Sequence, residues 1–148
     1  MSRNKTKDLY IQSLIDSNAQ IEKEKELIKF NFSYYRYGEE QGESFEQWQI
    51  DCILADLNNK LKFCSEKTKV ELINDNTLEI FSNYPTDSKF EYPKDIIGKN
   101  MSWARIRLTG KRRLIGFFRT NCDIEQNVFF VVFLDKDHQF APSKKKHT

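Results

Sequence analysis

This sequence has few of the residues that mark disordered, disulfide-linked or metal-binding proteins. Its 148 residues include five Gly, three Pro, three Cys and two His. So little Gly and Pro argues against a low-complexity, disordered chain. The cysteines Cys52, Cys64 and Cys122 are odd in number, widely spaced and without a CxxC pair, so no disulfide framework is predicted. With two histidines they also leave few ligands for a closed zinc site. We therefore expect no metal and no cofactor.

Long apolar runs are missing as well. The longest, 128–134, has seven residues, far fewer than the ~20 that a membrane-spanning helix needs. The N-terminus is basic, but no long apolar stretch follows it, so no signal peptide is predicted. The length suits one domain with one core. The sequence therefore predicts a cytoplasmic protein that does not bind membranes.

The small net charge of +2 hides a strong segregation of charge along the chain. Residues 39–56 contain six acids and no base, whereas 103–119 contain six bases and no acid. A basic segment of this kind can attract a polyanion even when the whole chain is nearly neutral. The alternative is that these arginines form a solvated face without a ligand, and charge alone does not decide between the two.

Apolar spacing predicts an α+β fold that begins with a separate helix. Residues 8–27 have a helical pattern with an imperfect apolar stripe. We interpret residues 1–27 as an N-terminal helical extension, frayed over 1–7. The strict alternation of 28–35 predicts a strand with one buried face. The fold that follows is expected to extend from residue 28 to 140, with a basic, disordered tail over 141–148.

A helical hairpin is predicted next. Ser44, with Gln47 three residues later, has the pattern of a capping box, for a helix that runs to about Phe63. Ser65 is expected to cap a short second helix. The residues predicted to form the core face of the first helix are Ile50, Ile53, Leu54, Leu57 and Leu61.

The C-terminal half predicts an antiparallel β-meander packed on one side by that hairpin. Between the helices and these strands, 74–100 is expected to be mostly loop, with a short strand at Leu78–Phe81. The early strand is expected to pair beside the late ones. The meander strands are predicted at Trp103–Leu108, Arg112–Arg119 and Asn127–Leu134, and the last is apolar on both faces, as expected for a strand covered on both sides.

The first meander strand carries the best candidate for a binding surface. Its alternation places Trp103, Arg105 and Arg107 on one face and the apolar residues on the other. If the apolar set faces the helices, a Trp and two Arg face outward together, which suits RNA because phosphates pair with Arg and bases stack on aromatic rings. Lys111 and Arg119 extend the predicted RNA-binding set. The alternative is an exposed face that uses Arg to block edge pairing.

A candidate catalytic group follows the last strand. His138 closes the string Asp135-Lys136-Asp137-His138, and a histidine there could act as general acid or base near neutral pH. Cleavage of RNA through the 2′-hydroxyl requires a proton acceptor, cations around the phosphorane and an acid. His138 with Arg112 and Arg113 could supply these groups without a metal. The alternative is a strand-ending turn in which the Asp side chains cap backbone groups.

The order of elements resembles that of the RelE/ParE family of small bacterial toxins over roughly Lys29 to Phe140. The strings 105–108, 112–118 and 128–138 carry the resemblance. They are comparable with the family's run R-x-x-G-x-y-R-x-i-g-f, followed by v-f-v-l and a His. The segment 133–140 is also similar to that of RelE-like proteins found on phages and mobile elements.

The resemblance implies a toxin-like endoribonuclease (an mRNA interferase) that needs no metal and acts at the ribosome or on free mRNA. By position, His138 would transfer the proton. The phosphates would be held by Arg105, Arg107, Arg112 or Arg113, and Arg119. Many family members have a C-terminal Tyr where this chain has Phe140, which cannot transfer a proton. The N-terminal helix and the 74–100 insertion are further departures.

Two classes of function follow from these patterns. One is a toxin that acts on RNA or the ribosome and pairs with a cognate antitoxin. The other is a non-catalytic phage or mobile-element protein that binds and inhibits a host or defence complex through its basic sheet face. The N-terminal helix could mediate a homodimer or bind a different partner, and the sequence does not choose between them.

Overall fold

The three-dimensional structure is a computed structural model that describes residues 2–38, 41–96, 98, 100–120 and 125–142. Most of the predicted basic tail, and Cys122, lie outside the described residues. Four helices and five strands are described: α1 (Ser2–Lys25), β1 (Lys29–Asn31), α2 (Phe45–Ile50), α3 (Leu54–Ser65), α4 (Lys69–Asn74), β2 (Leu78–Phe81), β3 (Met101–Arg107), β4 (Arg113–Arg119) and β5 (Val128–Asp135). This is the predicted α+β class.

The five strands form one open, mixed sheet in the order β1-β5-β4-β3-β2. Strands β2 to β5 are an antiparallel meander, and β1 pairs in parallel with β5. The predicted meander, the short strand at Leu78–Phe81 and the pairing of the early strand beside the late ones are confirmed. Strand β5 is apolar on both faces because it is paired on both edges and covered on both sides.

The helices differ in detail from the prediction. A single helix from Ser44 to Phe63 is wrong, because Cys52 adopts a φ of 63° and separates α2 from α3. Ser44 does cap α2, since its hydroxyl accepts a hydrogen bond from the Gln47 amide. The break turns Ile50, predicted to be in the core, outward to 73% exposure.

The start of α4 also differs from the prediction. Thr68, not Ser65, caps α4, and with Glu71 it forms a complete capping box. Ser65 instead belongs to the end of α3, where its hydroxyl donates to the Leu61 carbonyl at 2.7 Å.

The helices cover one face of the sheet as predicted. Ala104 and Ile106 of β3, and Leu108 directly after the strand, point into a core that also contains Leu57 and Cys64 of α3. Burial of these apolar side chains is the main stabilising contribution on this face.

The opposite face of the sheet is covered too, as the two apolar faces of β5 predicted, but the segment that covers it was not predicted. The segment 82–96 crosses it and buries a second apolar cluster: Phe90, Ile96, Trp103, Ile115, Phe117, Phe130, Val132, Phe133 and Phe140. Two polar contacts join this segment to the loop after β1. The Arg36 guanidinium forms an ion pair with the Asp95 carboxylate, with Nη2 to Oδ2 at 2.7 Å. The Gln41 side-chain amide exchanges two hydrogen bonds with the Glu91 backbone.

Helix α1 stands apart from this two-sided sheet. It is helical from Ser2, and every side chain of 5–26 is exposed. Only the C-terminal end of α1 contacts the rest of the domain. The contacts there are the β-bridge between Leu27 and Thr68 and a hydrogen bond from the Asn127 side chain to the Lys25 carbonyl at 3.1 Å. Among the described residues, no helix combines the length and the apolar character required to cross a membrane.

Candidate nucleic-acid interface

The strand register gathers ionisable side chains at one end of the sheet, on the face opposite the helices. Glu79 of β2 lies opposite Arg105 of β3. Two residues further along β3, Arg107 lies opposite Arg113 of β4, which in turn lies opposite Asp135 of β5. Residues directly opposite each other on neighbouring strands share a face. His138, in the turn after β5, completes this group. We call Glu79, Arg105, Arg107, Arg113, Asp135 and His138 the Arg–His cluster.

Arg105 is the fixed centre of the Arg–His cluster. Its Nε and Nη2 donate to one Glu79 carboxylate oxygen at 2.9 and 2.7 Å. Its Nη1 donates to the Ala141 carbonyl at 3.0 Å. The side chain is 17% exposed and lies over the Phe81 ring. A charge-assisted pair held from several directions is well ordered, so Arg105 offers a defined geometry to its neighbours.

His138 contacts this guanidinium directly. Its Nε2 lies 3.1 Å from Arg105 Nη1. Because a guanidinium has donors and no acceptor, Nε2 accepts the hydrogen bond and the ring is neutral, with its proton on Nδ1. Burial, followed by the positive charges of Arg105 and Arg113, lowers the pKa of His138. The His138 backbone has a φ of 60°, in the left-handed region that histidine tolerates better than most residues.

Asp135 holds the turn that carries His138. Its two carboxylate oxygens accept hydrogen bonds from the backbone amides of Gln139 and Phe140 at 3.0 and 2.9 Å. This is the turn-capping role weighed above as the alternative for the Asp side chains. Burial raises the pKa of the Asp135 carboxyl, and the two backbone hydrogen bonds partly offset that effect. Asp135 therefore positions His138 through the turn and makes no hydrogen bond to the imidazole.

Arg113 is a nearly buried cation, with 7% exposure. Its Nη1 donates to the carbonyls of Gly110 and Arg112, both at 2.8 Å, and it has no ion-pair partner among the described residues. Burial, then the like charges of Arg105 and Arg107, lowers its pKa. Arg107 itself is exposed. The strand register therefore places three guanidiniums on one face of the sheet, with the two carboxylates of Glu79 and Asp135 beside them.

Other predicted site residues are not part of this arrangement. Trp103 is 2% exposed and packs against Tyr84 and Phe117 at 5.0 and 5.5 Å between ring centroids. The prediction of an exposed stacking platform at Trp103 is wrong, because Tyr84 and Tyr92 of the segment 82–96 pack against its ring. Lys111 lies in the β3–β4 turn and Arg112 just after it, and among the described residues neither side chain makes a hydrogen bond or an ion pair with the cluster.

Arg119 lies at the opposite end of β4 from Arg113, about 20 Å away at the usual rise per residue of a strand. Its guanidinium lies 5.0 Å from the Phe130 ring centre and pairs with Glu125 at 3.4 Å. Arg119 therefore cannot share a phosphate with the Arg–His cluster.

The lowered pKa of His138 makes a testable prediction about stability. The unfolded chain binds a proton at this histidine at higher pH than the folded chain does, so stability should fall as pH decreases below about 6.5, the ordinary pKa. His138→Asn, which tolerates the left-handed backbone, should lack this loss. Urea unfolding of both proteins at pH 7.5 and 5.5 measures it, and an equal loss in both would contradict the prediction.

Comparison of the chain with family models, with curated proteins and with solved structures finds no match. The resemblance to the RelE/ParE family therefore stays a prediction. Among the described residues, no three His, Cys, Asp or Glu side chains converge in a way that could hold a metal ion.

Proposed function

We propose that this protein is a toxin-like endoribonuclease that cleaves mRNA, ribosome-bound or free, without a metal ion at the Arg–His cluster. The contact between Arg105 and His138 is the observation that carries the proposal. It places a neutral imidazole beside a fixed guanidinium, with Arg113 and Arg107 on the same face. These supply the proton acceptor and the cations that cleavage through the 2′-hydroxyl requires, and water supplies the acid.

The proposed reaction begins when an RNA phosphate enters the cluster. A phosphate oxygen takes the hydrogen bond from Arg105 Nη1, which frees the lone pair on His138 Nε2. Nε2 then removes the proton of the 2′-hydroxyl, whose oxygen attacks phosphorus. The bond from phosphorus to the 5′-oxygen breaks, that oxygen takes a proton from water, and a 2′,3′-cyclic phosphate remains. The hydroxide left by the water takes the proton from His138, which returns the imidazole to its neutral form. Arg107 and Arg113 stabilise the charge of the phosphorane.

The resemblance to the RelE/ParE toxins supports this assignment at Arg105, Arg107, Arg113 and His138. The structure also bears on the missing C-terminal Tyr. Phe140 is fully buried against the rings of Phe81 and Tyr84, so it anchors the turn. Proton transfer would therefore rest on His138.

The test uses end-labelled RNA, with and without ribosomes, in the presence of a chelator. The purified protein should produce fragments that end in a 2′,3′-cyclic phosphate. His138→Asn should slow cleavage by roughly a hundredfold or more, the usual contribution of a general base, and Arg107→Ala should slow it as well. Lys62→Ala removes the same charge from α3 on the other side of the sheet and should have no effect. Absence of cleavage in all conditions would overturn the proposal.

A second candidate is favoured by the same contact. In the protein without a ligand, His138 Nε2 already accepts a hydrogen bond from Arg105, and Arg105 already forms an ion pair with Glu79. A cluster that keeps these contacts would bind a polyanion or an acidic protein without reacting, as an inhibitor of a host or defence complex. It predicts RNA binding that weakens steeply with salt, equal binding by His138→Asn, and no cleavage.

A further inference from the structure

Helix α1 is long, regular and uncovered. It has 24 residues, and its described side chains are all exposed. Its composition includes Ser, Asn, Asp and β-branched residues, which are weak helix formers. Helices of this kind owe most of their stability to packing of an apolar face, and the domain of this chain supplies no such packing beyond the root of α1.

The middle of α1 has an apolar stripe. Tyr10, Ile11, Leu14, Ile15 and Ile21 lie on one side of the helix and are 44–66% exposed. The polar residues Gln12, Ser13, Asp16, Ser17 and Gln20 form the other side. Within the stripe, Ile11, Leu14, Asn18 and Ile21 follow the three-and-four spacing of a heptad seam, with Ile11 and Asn18 at a positions and Leu14 and Ile21 at d positions. The seam is limited to these two heptads, because Lys7 and Lys25 occupy the next d and a positions.

We propose that α1 is a dimerisation helix, which pairs in parallel with α1 of a second copy of this chain as a short two-stranded coiled coil. Asn18 identifies the occupant. In a parallel pair of identical helices Asn18 meets Asn18 of the second copy, so each buried amide has a hydrogen-bonding partner. A single Asn at an a position is the usual determinant of two strands and of register.

The antiparallel arrangement is less favourable. It would place Asn18 against Leu14 of the second copy, which leaves a buried amide without a partner. It would also bring Asp8 close to Glu22 of the second copy, two like charges on the flank of the seam. In the parallel arrangement Tyr10 lies instead beside Ile15 of the second copy, which widens the apolar contact.

The dimer goes beyond the proposed function and does not depend on it. Parallel helices place both domains at the same end of the coiled coil, because each domain follows the C-terminus of its α1. Two Arg–His clusters would then act on one polyanion, and the second contact would form at a high effective concentration.

Sedimentation of the purified full chain over a range of concentrations tests the proposal. The wild type should pass from monomer to dimer. Leu14→Ser and Ile21→Ser each remove one apolar side chain from both helices, and each should weaken association by roughly a hundredfold. Leu9 lies on the opposite side of α1, so Leu9→Ser should leave the dimerisation constant unchanged. A wild type that stays monomeric throughout, or a dimer that tolerates both seam substitutions, would overturn the proposal.

A crosslinking experiment tests the parallel orientation. Leu14→Cys should form a disulfide-linked dimer under mild oxidation, because residue 14 meets its own copy in the parallel pair. Asn18→Cys should behave alike. The parent chain, which keeps its native cysteines, gives the background. Crosslinking that requires both substitutions on different chains would show the antiparallel arrangement and overturn the parallel one.

Discussion

Gly116→Ala is expected to destabilise the protein by about 3 kcal/mol or more, since overpacking at a rigid site commonly costs 1–3 kcal/mol and here involves backbone. A Cβ at Gly116 would overlap the Phe130 carbonyl oxygen and lie 2.6 Å from the Phe129 ring. Both belong to β5, which pairs with β4 through an irregular register at Ile115 and Gly116. The carbonyl cannot move without breaking that pairing. Urea unfolding measures the loss.

Gly38→Ala is the matched control for Gly116→Ala. No heavy atom lies within 4 Å of a Cβ at Gly38, so its stability should stay within about 0.5 kcal/mol of the wild type, as for most surface substitutions. Equal stability of the two variants would show that the close approach of β4 and β5 at Gly116 is not as described.

Trp103→Ala is expected to destabilise the fold by about 4 kcal/mol, the usual cost of removing a fully buried Trp side chain. The indole contacts Tyr84, Tyr92, Phe117 and Phe140, and Phe140 belongs to the turn that carries His138. The rate of RNA cleavage should fall together with the stability, because a destabilised turn no longer holds the His138 imidazole in position. Unfolding and cleavage are measured on the same preparation.

Trp103→Phe separates packing from stacking. It keeps an aromatic ring in the cluster and should cost less stability than Trp103→Ala, with cleavage retained. The outcome that contradicts this interpretation is a Trp103→Ala variant with wild-type stability and weakened RNA binding, which is what an exposed stacking residue would give.

Much of the fold was predictable because apolar periodicity records which faces are buried. Alternation in 103–108 and the apolar run 128–134 predicted the meander and the side of β3 that faces the helices, and Ser44 predicted the start of α2. The break at Cys52 and the cover over Trp103 were not predictable. A left-handed residue in a helical pattern leaves no spacing signal, and the segment 82–96 buries its apolar residues through irregular backbone that has no period.

The candidate site was predictable in part. The resemblance assigned Arg105 and His138 to one site, and the two side chains are in contact. Glu79 was missed because its position beside Arg105 depends on the register of β2, which a four-residue strand does not reveal. Arg119 was grouped with the other arginines because sequence distance along one strand hides a separation of about 20 Å.

The parallel pairing of β1 with β5 has a consequence for how the protein is made. Lys29 pairs with Val128, so β1 cannot join the sheet until β5 is present, and β5 lies almost the whole domain away in sequence. Contacts between such distant positions slow folding, and until they form the unpaired strand edges are open to aggregation. A ribosome must release the chain as far as β5 before the sheet can be completed. We therefore expect newly made chains to depend on chaperones, and C-terminal truncations before residue 128 to accumulate as insoluble protein.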